Sequence, residues 1–254
     1  MIPEIADLLK TSIEECLEEE VAISFSGGLD SSLIASIAGK CSFPHLFSSG
    51  IENSEDIVYS EEVSKILKLP YEKIILDESE ILKLYSEIYR IIPTELLKIE
   101  ILIPIYASAK AASKKNFSVM LLGSGAEELF VGYNRYYAYF EEGKDLDSIL
   151  KEEFRTLKKR DVNLISKIVR KAGLEPRFPF LNEELAKYVF SIPLEKRIED
   201  RELKKGLLRE ASKLLGLADI VIKRKKKAAQ YGSGVHKVLI KNSDYINENY
   251  PPKI

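Results

Sequence analysis

The chain has 254 residues, 45% hydrophobic and 31% charged, a soluble globular composition with ample length for a buried core. A formal net charge of −2 gives no global pull toward nucleic acid or a membrane surface, and no apolar run reaches the roughly 18 residues a spanning helix needs. Two cysteines, Cys16 and Cys41, exclude a disulfide framework, and the acid-bearing start MIPEIADLLK holds no secretory core, so a cytoplasmic location is expected.

In chain order, residues 3–19 carry Ile5, Leu8, Leu9, Ile13, Cys16 and Leu17 at helical spacing. Cys16 falls on that apolar stripe, so it reads as a core residue. Residues 21–25 read as a strand, followed by a turn at Gly27 and Gly28 and a helix whose residues 33–38 are apolar. A second strand is expected at 45–49. A helix capped by Ser54 follows, running to about Lys68. A third strand is expected at 71–76 and a helix at 78–91. Residues 94–112 read as helical with an interruption at Pro104, and a fourth strand at 118–122 runs into Gly123-Ser-Gly125. Beyond Tyr133 no strand is predicted. Residues 145–157, 160–172, 182–191 and 201–215 have helical spacing, with Gly173 as a helix C-cap.

Strands alternating with helices predict an α/β fold with a parallel sheet and helices on both faces. Residues 1–135 form that part, and a helical part over 136–254 is expected to complete the site. Ligands of such sheets sit at the carboxyl ends of the strands. The turns 26–32 and 123–128 both fall there, so they can face one cleft.

The segment Ser26-Gly-Gly-Leu-Asp-Ser-Ser32 aims backbone N–H groups, hydroxyls and the positive end of a helix at one point, which makes an anion site. Asp30 would repel a phosphate there unless a divalent cation lies between them, so the pattern predicts phosphate together with Mg²⁺. The bland alternative is a plain strand–turn–helix. A Walker loop is excluded, because no Gly-Lys-Ser/Thr ending is present. The string SGGLDSS resembles the loop of the ATP pyrophosphatase superfamily (the PP-loop), which cleaves ATP between its α- and β-phosphates.

A second constellation is Glu127 and Glu128 after the Gly123-Ser-Gly125 turn. They read either as first-turn acids complementing a helix dipole or as a metal acid opposite Asp30. A third combines Gly173-Leu-Glu-Pro-Arg-Phe-Pro-Phe-Leu-Asn182, Lys205-Gly-Leu-Leu-Arg209 and the basic run Lys223-Arg-Lys-Lys-Lys227 before Gln230-Tyr-Gly-Ser-Gly234. Basic runs are most often solvated faces or nucleic-acid patches. A glycine-flanked loop directly after one also suits cations reaching over a phosphate.

Together these strings resemble the synthetase domain of the asparagine synthetase B family, an adenine nucleotide alpha hydrolase-like fold. SGGLDSS, GxGxxELFxGY, GLExRxPFLN, KxxLR and RxK occur in that family's order between about Val21 and Lys237. β-Lactam synthetases share the scaffold, so the resemblance fixes a superfamily better than a substrate. It implies an ATP-dependent, AMP-forming ligase using ATP and Mg²⁺ on a small carboxylate, with ammonia or an amine as nucleophile. Ser26, Gly27, Gly28, Asp30, Ser31 and Ser32 match its pyrophosphate loop. Asp30 and Glu127 match its Mg²⁺ acids, the second being Asp in the family. Gly123, Ser49 and Gly50 match positions near the ribose and adenine. Lys226 matches the lysine that stabilises charge on the α-phosphate, and Lys226, Asp30 and Glu127 are the candidate catalytic set. Arg177, Lys205 and Arg209 match positions of structural or nearby polar role.

The departures are specific. Only about twenty residues precede the loop, so no glutaminase domain is expected. Ammonia would then be free or come from a separate glutaminase subunit. Ser124 stands where asparagine synthetases carry a glutamate associated with the second half-reaction. Two rival readings stay open: an RNA-adenylating enzyme of base thiolation or amination, for which the basic C-terminal half would supply phosphate contacts, and a non-catalytic ATP-binding partner protein. His45 and His236 read as structural.

Overall fold

The computed structural model describes residues 1–225 and 229–250, with backbone only at 229 and 230. It opens with helix α1 (Ile2–Glu14) and strand β1 (Glu20–Ser24), then α2 (Leu29–Cys41), β2 (Phe43–Gly50), α3 (Glu55–Leu67) and β3 (Tyr71–Ile75). After α4 (Glu78–Ile91) and α5 (Leu96–Lys114) come β4 (Val119–Leu121), the short α6 (Ala126–Leu129) and, much later, β5 (Glu175–Arg177). The strands form one parallel sheet in the order β3-β2-β1-β4-β5. The α/β expectation is met.

Side-chain alternation along the strands divides the core into two layers. Val21, Ile23, Leu46, Val119 and Leu121 pack with α1 and α2 on one face. Ala22, Phe47, Met120 and Leu122 pack with α4 and α5 on the other. The chain moves outward from β1 through β2 to β3, then crosses back so that β4 lies on the other side of β1. That reversal creates a crevice at the carboxyl ends of β1 and β4, which is where a sheet of this kind binds ligands. Ala22 faces Met120 and Ile23 faces Leu121 in the register, so the turns leaving β1 and β4 are neighbours.

Three expectations require correction. First, a strand does follow Tyr133: β5 extends the sheet beside β4, with Glu175 N donating to Ser118 O at 2.7 Å and Leu122 N to Arg177 O at 2.9 Å. Glu-Pro-Arg has no apolar alternation, and proline is tolerated because this is an edge strand. Second, α5 runs straight through Pro104. Proline inside a helix costs about 3 kcal/mol, but burying Ile99, Leu102, Ile103 and Tyr106, at about 1.5–3 kcal/mol per large apolar side chain, exceeds that. Third, the helix expected from 201 begins only at Gly206, because Lys204 and Lys205 are left-handed at φ 60° and 55°.

Candidate active site

The Gly-rich loop leaves β1 at Phe25 and turns at Gly27, whose φ of +67° is open to glycine at little cost. A Cβ at Gly27 would lie 2.9 Å from the backbone of Tyr59 and Ser60, so the loop lies directly against α3. Helix α2 starts earlier than its apolar run, at Leu29, which puts Asp30, Ser31 and Ser32 in the first turn. Beyond the Ser32 N to Gly28 O bond of 2.9 Å, the donors of the loop are only loosely used. Ser26 N and Oγ approach Ser31 Oγ at 3.3 and 3.4 Å, and Gly28 N approaches Ser26 Oγ at 3.4 Å. Such long bonds are weak. The fully buried Ser32 hydroxyl has no hydrogen-bond partner among the described residues. Gly123, at the end of β4, comes within 3.1 Å of Asp30 Cβ at the position its own Cβ would take. The two glycine turns therefore meet in one crevice.

Asp30 and Glu127 converge on the Lys205 ammonium. Lys205 Nζ donates to both oxygens of Asp30 at 2.8 Å and lies 3.0 Å from Glu127 Oε1. All three side chains are largely buried, with Lys205 only 4% exposed. Strained backbone flanks this triad on both sides. Val131, a β-branched residue, sits at φ 56°, and Lys204 and Lys205 are consecutive left-handed residues. The Val131 bend lets Gly132 N donate to Glu127 O at 2.7 Å. It also presses Gly132 against the acid, since a Cβ there would lie 1.7 Å from Glu127 Oε2 and 2.5 Å from Lys205 Cε.

The pair of hard oxygen donors suits Mg²⁺, which takes one or two protein carboxylates and completes its shell with phosphate and water oxygens. Among the described residues no group of three or more His, Cys, Asp or Glu could hold a metal by itself. Next to Glu127, burial is the main cause pushing the Glu128 carboxyl up to about 7, reinforced by the Glu127 charge.

The C-terminal part is anchored at two described points, Arg224 and Ser233. Arg224, with a buried side chain, donates to Ser26 O at 3.1 Å and to Asp56 Oδ1 at 3.4 Å, and stacks 3.7 Å over the Tyr59 ring. Further along, Ile51 N donates to Ser233 O at 2.9 Å, and a Cβ at Gly50 would lie 2.8 Å from that same oxygen. Gly50 thus lies under the Gly232–Gly234 turn. Ser49 turns its hydroxyl into α5, donating to Pro104 O at 2.6 Å, so it belongs to the strand end and not to the carboxylate cluster. Lys226 lies outside the described residues, two positions beyond Arg224.

Two of the weaker sequence matches are structural. Arg209 binds the carbonyls of Leu203, Lys204, Ile222 and Arg224, which holds the Lys205 turn and the Arg224 segment together. Arg177 ties β5 to the carbonyls of Cys16 and Leu17. Lys205 and Arg224 carry more of the site than their motif positions indicate. Their letters stand in KxxLR and RxK, but nothing local marks them as facing Asp30 and Ser26.

The asparagine synthase family model matches residues 4–160 and 139–249. A Methanocaldococcus jannaschii protein named "Putative asparagine synthetase (glutamine-hydrolyzing) 1" is 32% identical over 257 residues, 88% of this chain and 47% of that protein. Asparagine synthetase (glutamine-hydrolyzing) of Gallus gallus is 30% identical over 198 residues, 73% of this chain and 35% of that one. The chain thus spans about half the length, or less, of these relatives. NMN synthetase from Francisella tularensis has the same fold at a TM-score of 0.52 and 14% identity, covering 92% of this chain and 78% of that one. A matched family model over nearly the whole chain, on a sheet whose switch point gathers the expected loop and acids, leads to one conclusion: the chain belongs to the asparagine synthase family.

Proposed function

We propose that the chain is an ATP-dependent, AMP-forming ligase that activates a small carboxylate and passes it to ammonia or an amine, giving an amide. The observation that carries this reading is the convergence of Asp30 and Glu127 on the buried Lys205 ammonium, directly beside the Gly-rich loop. A carboxylate substrate attacks the α-phosphorus, and pyrophosphate leaves into residues 26–32. There the loosely used N–H and hydroxyl donors and the start of α2 receive its charge without reorganising. Asp30 and Glu127 would hold a bound Mg²⁺, which would supply positive charge against the triphosphate. Lys226 meets the charge growing on the α-phosphoryl oxygens, and Arg224 holds the base of its segment on Ser26. Ser49, Gly50 and Gly123 line the nucleoside side. Positioning does most of the work of this first step.

Aspartate and ammonia are the first substrate pair to test, with a separate glutaminase subunit as the ammonia source. The cytoplasm is the proposed location. No helix among the described residues is long and apolar enough to cross a membrane. The test is incubation with Mg-ATP, ammonia and a panel of carboxylates, with AMP, pyrophosphate and amide measured. Release of ADP and phosphate alone would refute α–β cleavage. Pyrophosphate release that depends on tRNA and on no small carboxylate would move the substrate to RNA.

A further inference from the structure

We propose that Lys205 is a built-in counter-cation that holds the Asp30–Glu127 pair in the nucleotide-free protein and is displaced when a metal–nucleotide complex arrives, so that divalent metal and nucleotide bind together and metal alone binds poorly. The proposal rests on the reading of Asp30 and Glu127 as metal ligands and adds a regulation of that site. Its basis is geometric. One ammonium takes both Asp30 oxygens at 2.8 Å and a Glu127 oxygen at 3.0 Å, so it occupies the point where a metal bridging the two acids would sit.

Two further observations point the same way. The lysine is delivered into the crevice by two successive left-handed residues, a conformation that non-glycine residues hold only under constraint from their surroundings. The constraint is visible. Arg209 grips the carbonyls of Leu203 and Lys204, and Leu203 N donates to Asp200 Oδ1 at 2.9 Å. Against the same ammonium, Gly132 leaves room for Lys205 Cε that any Cβ would remove. The chain therefore maintains strained backbone and an open glycine position to keep a lysine between two acids.

The consequence follows from population arithmetic. A metal can use the acids only in the fraction of molecules whose lysine has swung out, and the apparent affinity falls by that fraction. A nucleotide triphosphate changes the balance, because it brings metal oxygens of its own and an alternative anion for the displaced ammonium. Metal and nucleotide then favour each other, by the same factor in both directions.

Mn²⁺ binding, read by the loss of the free-ion electron paramagnetic resonance signal, tests this without turnover. Wild-type protein should bind Mn²⁺ weakly alone and tightly with α,β-methylene-ATP. Lys205→Met and Lys205→Gln should bind Mn²⁺ without nucleotide about tenfold or more tightly than wild type, the gain expected when the competing ammonium is removed. Equal nucleotide-free affinity in wild type and variants would overturn the proposal, as would tight nucleotide-free binding by the wild type.

Should neither variant fold, the wild type alone decides. Labelling of Lys205 by trinitrobenzenesulfonate, followed by peptide mass, should rise at Mn²⁺ concentrations that fill the site. Unchanged labelling with Mn²⁺ bound means the lysine stays in place and the proposal fails. Glu127→Gln separates the two levels. If it leaves Mn²⁺ affinity in the nucleotide complex unchanged, Glu127 is no metal ligand and the reading underneath falls as well. If it weakens that complex while the Lys205 variants match wild type, only the role of the lysine is lost.

Discussion

Lys205 and Asp30 stand 175 residues apart in the chain and share two hydrogen bonds of 2.8 Å in the buried crevice at the switch point of the sheet. The contact joins the loop after β1 to the turn before the Gly206–Leu214 helix, so the site exists only in the folded chain. Asp30→Asn keeps the shape of the side chain and removes the charge that both a metal and Lys205 require. We expect pyrophosphate release to fall by about 100-fold or more, the scale on which loss of one electrostatic group acts in a preorganised site. Steady-state release with Mg-ATP checks this, and full retained turnover would remove the metal role assigned to Asp30.

Gly132 separates function from stability. The atoms nearest a methyl there are the far ends of two flexible side chains, Glu127 and Lys205, which can move aside. Gly132→Ala should therefore fold with a melting temperature close to wild type, while displacing both groups and losing most pyrophosphate release. A large loss of thermal stability with activity per folded molecule unchanged would show that this glycine serves packing alone.

What could be read from the sequence follows from range. The loop at 26–32 is local, and β1 and β4 are short apolar runs, so both were legible. Glu127 could be paired with Asp30 only through the family resemblance, because nothing in its own segment distinguishes it from Glu128. The structure separates the two: Glu127 reaches Lys205, and Glu128 is buried with a carboxyl pushed up to about 7. β5 was illegible because three residues containing a proline are a strand only by virtue of the β4 edge they join. The partners of Lys205 and Arg224 were illegible for the same reason. Lys205 reaches Asp30 and Arg224 reaches Ser26 across more than 150 residues of chain, at contacts set by tertiary packing.

Lys226 follows a different logic from Asp30. If it meets charge that grows only in the transition state, Lys226→Ala should lower kcat while leaving the KM for ATP within about threefold. A parallel rise in KM with kcat unchanged would make it a binding residue for the nucleotide ground state. Circular dichroism and melting curves on the same preparation confirm that the variant is folded.

His45 supplies a pH prediction well away from the carboxylates. Its ring stacks on Phe47 at 4.7 Å and meets the edge of Phe117 at 5.7 Å. Burial, followed by the Lys115 charge, holds its pKa below the usual 6.5. In the window just below 6.5 the unfolded chain therefore binds more protons at this site than the folded one, so stability falls as pH drops through it. His45→Phe removes that proton and keeps the stack. Urea midpoints at pH 7.5 and pH 5.5 should differ less in His45→Phe than in the wild type. An equal drop in both proteins would place the acid sensitivity elsewhere.

Ser124 bears on the product of the proposed reaction. It is half-buried between Gly123 and Gly125, and Gly125 holds φ +101°, so the turn takes its shape from glycine and does not depend on the side chain at 124. A serine hydroxyl is a poor base at neutral pH, whereas a carboxylate can orient and deprotonate an attacking amine, an effect of about 100-fold or more when well placed. Ser124→Glu should therefore leave carboxylate-dependent pyrophosphate release nearly unchanged. With aspartate and ammonia it should raise the amount of asparagine formed per AMP, measured by mass spectrometry of the same reaction. If the variant releases pyrophosphate as before and the amide yield does not move, position 124 does not govern the second step, and the nucleophile must be selected by residues lining another wall of the crevice.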